Sequence, residues 1–378
     1  MVNKGLTIGF TANVMKKEYI NDPKYIEWDS EVTINAVINA LESTGNRVIL
    51  LEADESIYHK LEKYKSEIDI VFNIAEGLPE VESRESMVPS MLEFLCIPHT
   101  GSDSQSLANA LDKVTTREIL ENYGVNNPPF QRFEKYADRL KKGLSFPLVV
   151  KPAAEGTSSG LDQKSVVENE LQLYRAVKKI INTYSEPAIA EEYLDGREYT
   201  VGMIGNLVLP PLYFDLHEMP SKPKVRDLHI KDIDPNYCKV LNYFDSLYKK
   251  LVTQTIVAHH ALGCYDYNRM DFRERKLDNG KSKRIYFLEM NPLPGLHPTE
   301  SDLAIEAKHA GIDYNTMINM ILIEAIERNQ NNQMYKDRFP KPKIKNIASL
   351  VQSKKEELRV LGKISEYNII TEISKLDL

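Results

Sequence analysis

Four side chains in the last third of the chain alternate along two apolar runs. In "YNRMDFRE", period-two alternation puts Arg269 and Asp271 on one face of an extended segment and Met270 and Phe272 on the other. In "YFLEMNPLPG", Glu289 and Asn291 repeat that spacing before a proline-rich turn containing Gly295 stops the run. If the two segments are neighbouring strands, one face carries a guanidinium, two carboxylates and a carboxamide. Three oxygen-bearing side chains suit a hard cation such as magnesium, whose other positions go to phosphate and water. The arginine would neutralise charge on a transferring phosphoryl group or a tetrahedral intermediate. Taken singly, either segment also fits a solvated sheet face.

A second stretch, "FPLVVKPAAEGTSSG", sets Lys151 at the end of an apolar run, followed by Gly156, Thr157, Ser158, Ser159 and Gly160. Small residues let backbone N–H groups turn toward an anion, hydroxyls add donors, and an ammonium supplies charge for a phosphate. The segment is not a Walker loop, and a plain β-hairpin turn is the competing reading. Lys113, in "LDKVTTRE", reads equally as a surface lysine on a helix. In "AEEYLDGREYTV", Glu191 and Glu198 flank a turn at Asp195-Gly196, which also fits a charged hairpin edge. No Ser–His–Asp arrangement is convincing. His259 and His260 read as packing or solvent residues, whereas His297, just past Gly295, is better placed to touch a substrate.

These groups need a scaffold. With 378 residues the chain is long enough for two or three compact domains. A formal net charge of -7 gives no sign of a general nucleic-acid surface. No apolar run approaches the roughly 20 residues of a membrane span. The start reads as a first strand rather than a secretory signal. Three widely spaced cysteines, Cys96, Cys238 and Cys264, suggest reduced thiols and a cytoplasmic location, and no zinc spacing is present. Leu6–Phe10, "RVILLEA" and "DIVFNIAEG" read as strands around a helix in "DSEVTINAVINALESTG". Its stripe is Ile34, Val37, Ile38 and Leu41, with Asp29 or Ser30 as cap and Gly45 as stop. That alternation implies a parallel sheet with covering helices. "PAIAEEYL" reads as an edge strand because it opens with proline. A long helix is expected over about 243–262 and a polar lid-like loop over 215–237. The Lys/Pro-containing segment from residue 331 reads as an appendage with one helix, whose apolar side is Leu350, Val351, Leu358 and Leu361.

In order, "MLEFLCIPHTGSDSQSLANALDK", "VVKPAAEGTSSG", "EEYLDGREYTV", "RMDF" and "LEMNPLPGL" resemble the ATP-grasp superfamily, most closely the D-alanine–D-alanine ligase family, over roughly residues 6–329. The resemblance implies an α/β, three-domain ATP-grasp fold with an N-terminal parallel-sheet domain. The corresponding boundaries are 1–112, 113–197 and 198–330, with 331–378 as an extension. It implies an ATP-dependent carboxylate–amine ligase working through an acyl phosphate, with ATP and two magnesium ions (manganese as a substitute). Small amino-acid-like substrates and a homodimer are expected, with no nucleic-acid or membrane partner. Carried over by position, Lys113 and Lys151 would contact ATP phosphates and the loop Gly156, Thr157, Ser158, Ser159 would close over them. Glu191, with the backbone around Glu192 and Leu194, would read the adenine, and Glu198 the ribose. Asp271, Glu289 and Asn291 would hold the metals, and Arg269 and Lys151 would be catalytic. Gly295 would let the chain pass close to the reacting centre.

The departures concern the substrates. The family's glycine-rich N-terminal motif is replaced by "NDPKYIEWDSEVTINAV", with Asp29 where an amine-binding glutamate is expected. The usual His-Gly and Gly-Glu-Asp-Gly pattern gives way to "FNIAEGLPEVESRESMVPSMLEF", which makes Glu76, Arg84 and Glu85 candidate substrate residues; a structural salt bridge is the competing reading for Arg84. Glu300 and Ser301 stand where a Ser-Leu pair would receive the second D-alanine's carboxylate, and with His297 they border that site. An acidic residue there would repel a carboxylate, so a different amine acceptor is expected. D-alanine–D-alanine ligation itself, or a non-catalytic ATP-binding regulator, are the alternatives.

Overall fold

Apolar runs buried on both faces make a parallel sheet, and the first is β1 (Thr7–Ala12), whose Ile8, Phe10 and Ala12 are wholly buried. The computed structural model describes residues 5–360 apart from 21, 80, 82, 157, 159, 220, 222–223, 228, 231–236, 277–282 and 336–337. Thr157, Ser159, Leu361 and part of the expected lid loop therefore lie outside the described residues. After β1 comes α1 (Glu31–Glu42), capped by Ser30, whose side chain accepts from Thr33 N. Next are β2 (Arg47–Glu52), α2 (Ile57–Tyr64) and β3 (Ile70–Asn73). The sheet order is β2-β1-β3, all parallel. Two short helices follow, α3 (Met87–Phe94) and α4 (Ser104–Leu111).

The second layer starts with α5 (Lys113–Glu121), then β4 (Phe130–Phe133), β5 (Leu148–Pro152), β6 (Val166–Val167), α6 (Glu170–Tyr184) and β7 (Ala188–Glu192). Its antiparallel order is β4-β7-β5-β6. This corrects the edge assignment: β7 runs between β4 and β5. Pro187 precedes the strand, so its missing N–H removes no ladder bond, while its carbonyl still accepts from Ala153 N.

The third sheet comprises β8 (Glu198–Ile204), β9 (Leu207–Val208), β10 (Leu212–Phe214), β11 (Cys238–Val240), β12 (Tyr267–Lys276) and β13 (Lys283–Asn291). The order is β11-β10-β8-β12-β13, with β9 on β8. Between β11 and β12 lies α7 (Tyr248–Ala261). It is shorter than expected at its start because Asn242 and Asp245 side chains accept from Phe244 N and Leu247 N, holding a turn there instead of a helix.

Finally come α8 (Asp302–Ala310), α9 (Tyr314–Gln330) and α10 (Lys341–Val360). The Lys/Pro tract forms the first turn of α10, where Pro342 costs little because first-turn N–H groups lack intrahelical partners anyway. The apolar side of this helix is packed down. Ile347, Val351 and Leu358 are buried in one apolar cluster with β1, α1 and α9, while Leu350 is half-buried. Lys343 pairs with Asp69 of the first layer at 2.8 Å. The same cluster includes Tyr267, Leu293 and Leu296, so the first sheet is packed against the ends of β12 and β13. Among the described residues no helix is long and apolar enough to cross a membrane.

Candidate active site

The antiparallel register of β12 and β13 pairs Arg269 with Asn291 and Asp271 with Glu289, which brings all four side chains to one face. A bulge follows Asp271. Arg269 forks onto Asp271, with Nε 3.1 Å from Oδ1 and Nη2 2.9 Å from Oδ2. Thr200 Oγ1 donates to Asp271 Oδ1 at 2.7 Å, and Asn291 Nδ2 to Oδ2 at 3.1 Å. Glu289 faces the Lys113 ammonium at 3.6 Å. Like charges directly opposite on neighbouring strands are destabilising. Two carboxylates held this way, with a carboxamide beside them, form the donor set a divalent hard cation fits.

Lys113 opens α5, behind the Asp112 cap, and is 7 % exposed. An ammonium at the positive end of a helix works against the dipole, and burial adds to the cost. The arrangement concentrates positive charge toward the strand pair and so suits an anion. Four residues on, Arg117 is wholly buried. It forms an ion pair with Glu191 and donates to Leu288 O at 3.0 Å. Lys151 Nζ reaches the other oxygen of Glu191 at 2.8 Å. Burial opposes ionisation of Glu191, but Arg117 and Lys151 outweigh it and hold the carboxyl below its ordinary range. Burial lowers the Lys151 ammonium, with Glu191 acting against that. Val149, Leu161, Leu194 and Leu288 wall the cleft above this triad, while Glu198 and Arg273 border it.

At the glycine loop, Gly156 N donates to Glu27 Oε1 at 2.8 Å and Ser158 Oγ to Arg226 O at 3.2 Å. The segment carrying Arg226 lies across the cleft. Val225 packs on Val149 and Val166, and Arg226 forms a two-bond pair with Asp302, both at 3.1 Å. The expected lid thus has a described portion docked over the site.

A wider cavity of about 570 Å³ adjoins the cleft and shares Lys113, Glu155, Arg226 and Glu289 with it. Asp29, Glu76, Glu85, Gly295, His297 and Glu300 all line it. Arg84 is committed elsewhere: it binds Glu27 at 2.6 Å, Glu155 at 3.3 Å and Ala154 O at 3.1 Å. Its guanidinium ties the first layer to the exit of β5, which is the salt-bridge reading. An added Cβ at Gly295 would meet no atom within 4 Å, so no protein neighbour requires glycine there, and its close-approach role would involve a bound molecule. His297 Nδ1 accepts from Glu300 N at 3.2 Å, and the Glu300 side chain is 74 % exposed. Glu192 pairs with Arg275 at 3.0 Å. Burial pushes the Asp29 carboxyl up to about 7. Burial and then Glu27 push Glu85 up to about 7.

Sequence reasoning missed Arg117, Glu27 and the Arg226–Asp302 pair. The i, i+4 spacing of Lys113 and Arg117 was a usable signal, since it puts both on one helical face. Glu27 lies in an aromatic loop with no periodicity to mark it.

A family model described as the D-ala D-ala ligase C-terminus matches residues 119–323. The D-alanine–D-alanine ligase of Aquifex aeolicus is 33% identical over 297 residues, covering 77% of this chain and 93% of that protein. An uncharacterised protein of Sinorhizobium fredii, y4sG, is also 33% identical, over 314 residues, covering 80% of this chain and 89% of that one. Among solved structures, the Bacillus anthracis D-alanine–D-alanine ligase complexed with ATP superposes with a TM-score of 0.65 at 22% identity, covering 86% of this chain and 98% of that one.

Proposed function

This chain belongs to the D-alanine–D-alanine ligase family of ATP-grasp proteins, and from that premise we propose that it is an ADP-forming carboxylate–amine ligase whose acceptor is not D-alanine. A substrate carboxylate attacks the γ-phosphorus of ATP and ADP leaves. An amine then displaces phosphate from the acyl phosphate, making an amide or peptide bond. Such chemistry needs positioning and charge stabilisation more than covalent help from the protein.

The observation that carries the reading is the shared face of β12 and β13, with Lys113 aimed at it. Asp271, Glu289 and Asn291 would hold magnesium, which when bound would neutralise phosphate charge. Arg269, already fixed by Asp271, is set to stabilise the acyl phosphate and the oxyanion that follows. Lys113 and Lys151 would bind phosphates and the Gly156–Ser159 loop would cover them. The apolar walls near Leu194 suit a planar base, with Glu191 at its inner end and Glu198 toward the ribose. The boundaries 1–112, 113–197 and 198–330 would then bracket the cleft. Asp29 would meet a substrate amine.

The different acceptor is supported by Glu300 at the cavity rim, where a carboxylate-bearing acceptor would meet a like charge. The test is ADP release from magnesium and ATP with a panel of amines and amino acids. Turnover with an amine other than D-alanine, and none with D-alanine alone, is expected. Efficient turnover with D-alanine alone would return the protein to the family's named reaction.

A further inference from the structure

The wide cavity has two unlike ends. At the strand end Lys113, Arg226 and Arg269 lie among the carboxylates Glu289 and Asp302, whereas the first-layer wall presents the carboxyls of Asp29, Glu76 and Glu85 together with Trp28. That wall is built by specific backbone geometry. Gly77 sits at a φ of +89°, and a Cβ there would stand 2.4 Å from Arg84 O, so only glycine lets the Glu76 and Glu85 segments approach. Gly77 N donates to Asn13 Oδ1 at 2.9 Å, and Trp28 Nε1 donates to Gly77 O at 3.3 Å.

Glu85 is 7 % exposed, and its Oε2 has no hydrogen-bond partner among the described residues. The guanidinium on its own loop, Arg84, is spent on Glu27, Glu155 and Ala154 O. Burial, then Glu85, Glu27 and Asp29, push the Glu76 carboxyl well up. A buried carboxylate without a partner is costly to the fold, and a bound cation offsets that cost. An aromatic ring on the same wall adds a second kind of attraction for a cation.

We propose that one substrate of this site carries a second cationic group, an ammonium or guanidinium distinct from its α-amine, which docks against Glu76 and Glu85 beside Trp28. The inference rests on the ligase reading above and deepens it. Asp29 is left for the α-ammonium. The substrate class is a basic or diamino acid, or a diamine; a small neutral amino acid would leave Glu76 and Glu85 unpaired and be rejected.

The test is calorimetric binding to the full chain, with lysine, putrescine and arginine set against norleucine, the lysine isostere that lacks the second ammonium, and alanine. Each amino acid is used as both enantiomers. At least one dication should bind about tenfold or more tightly than norleucine, and Glu85→Gln and Glu76→Gln should each erase most of that preference by weakening the dication without weakening norleucine. Equal binding of norleucine, or a preference untouched in both variants, overturns the proposal. ADP release measured in parallel separates the two readings. Dication-selective binding without ADP release sinks the ligase and keeps this inference, whereas turnover with alanine and lysine at equal efficiency does the reverse.

Discussion

Asp271 stands directly opposite Glu289 across the β12–β13 ladder, two carboxylates on one face with Arg269 and Asn291 as the next pair. Such a pair weakens a sheet, but here Arg269 forks onto Asp271 and Lys113 faces Glu289. Asp271→Asn is therefore expected to lower the stability of the metal-free protein, because it strips the charge partner from the buried Arg269. The same change should abolish the magnesium-dependent rise in melting temperature that the account expects with ATP. A variant that still responds to magnesium and ATP as the parent does would remove Asp271 from the metal site.

Arg117 is the least replaceable cation of the cleft. It is wholly buried against Glu191, which also holds Lys151. Removing one partner of a buried ion pair typically costs about 3–5 kcal/mol because the other charge is stranded. Arg117→Met should lower the unfolding midpoint clearly in chemical denaturation and weaken nucleotide binding through a displaced Lys151. Unchanged stability would mean that Lys151 alone satisfies Glu191.

Strand alternation was enough to read Arg269 with Asp271 and Glu289 with Asn291, because a period of two fixes a face within one strand; joining the two pairs needed the strands to be neighbours, which the β12–β13 register supplies. The α1 cap and apolar stripe were equally legible. Position within a sheet was not: the proline before β7 suggested an edge, yet it falls outside the ladder. Sequence also gave no hint that α10 would reach back to Asp69, or that Glu27 would meet both Arg84 and Gly156. Those contacts join segments far apart in the chain, and no local pattern encodes them.

Glu27 couples the two halves of the site, accepting from Arg84 on one oxygen and from Gly156 N on the other. Glu27→Gln should loosen the glycine loop and raise the KM for ATP several-fold with a smaller change in kcat. Paired with Arg84→Met, the two effects should be non-additive by about 0.5–3 kcal/mol. Strict additivity would show that the contact does no work in nucleotide binding.

Glu85 gives the protein a signature in pH. Burial and then Glu27 push its folded carboxyl up to about 7, against about 4.3 in an unfolded chain. Between those values the folded state holds the proton that the unfolded state has released, so stability falls as pH rises through that window and the full penalty applies above it. Glu85→Gln should therefore be more stable than the parent at pH 8, and the difference should vanish toward pH 4. Melting curves across pH decide it; parallel curves for the two proteins would contradict the assignment.

The most direct measurement of the central claim is rapid-mix ADP and phosphate release from the purified protein with magnesium and ATP, with and without a carboxylate donor and an amine acceptor. The account predicts ADP formation that requires magnesium, accelerates only when both substrates are present, and is lost in Arg269→Met. Tight ATP binding with no ADP formed under any substrate mixture, or ADP formation indifferent to magnesium and to Arg269, would contradict it.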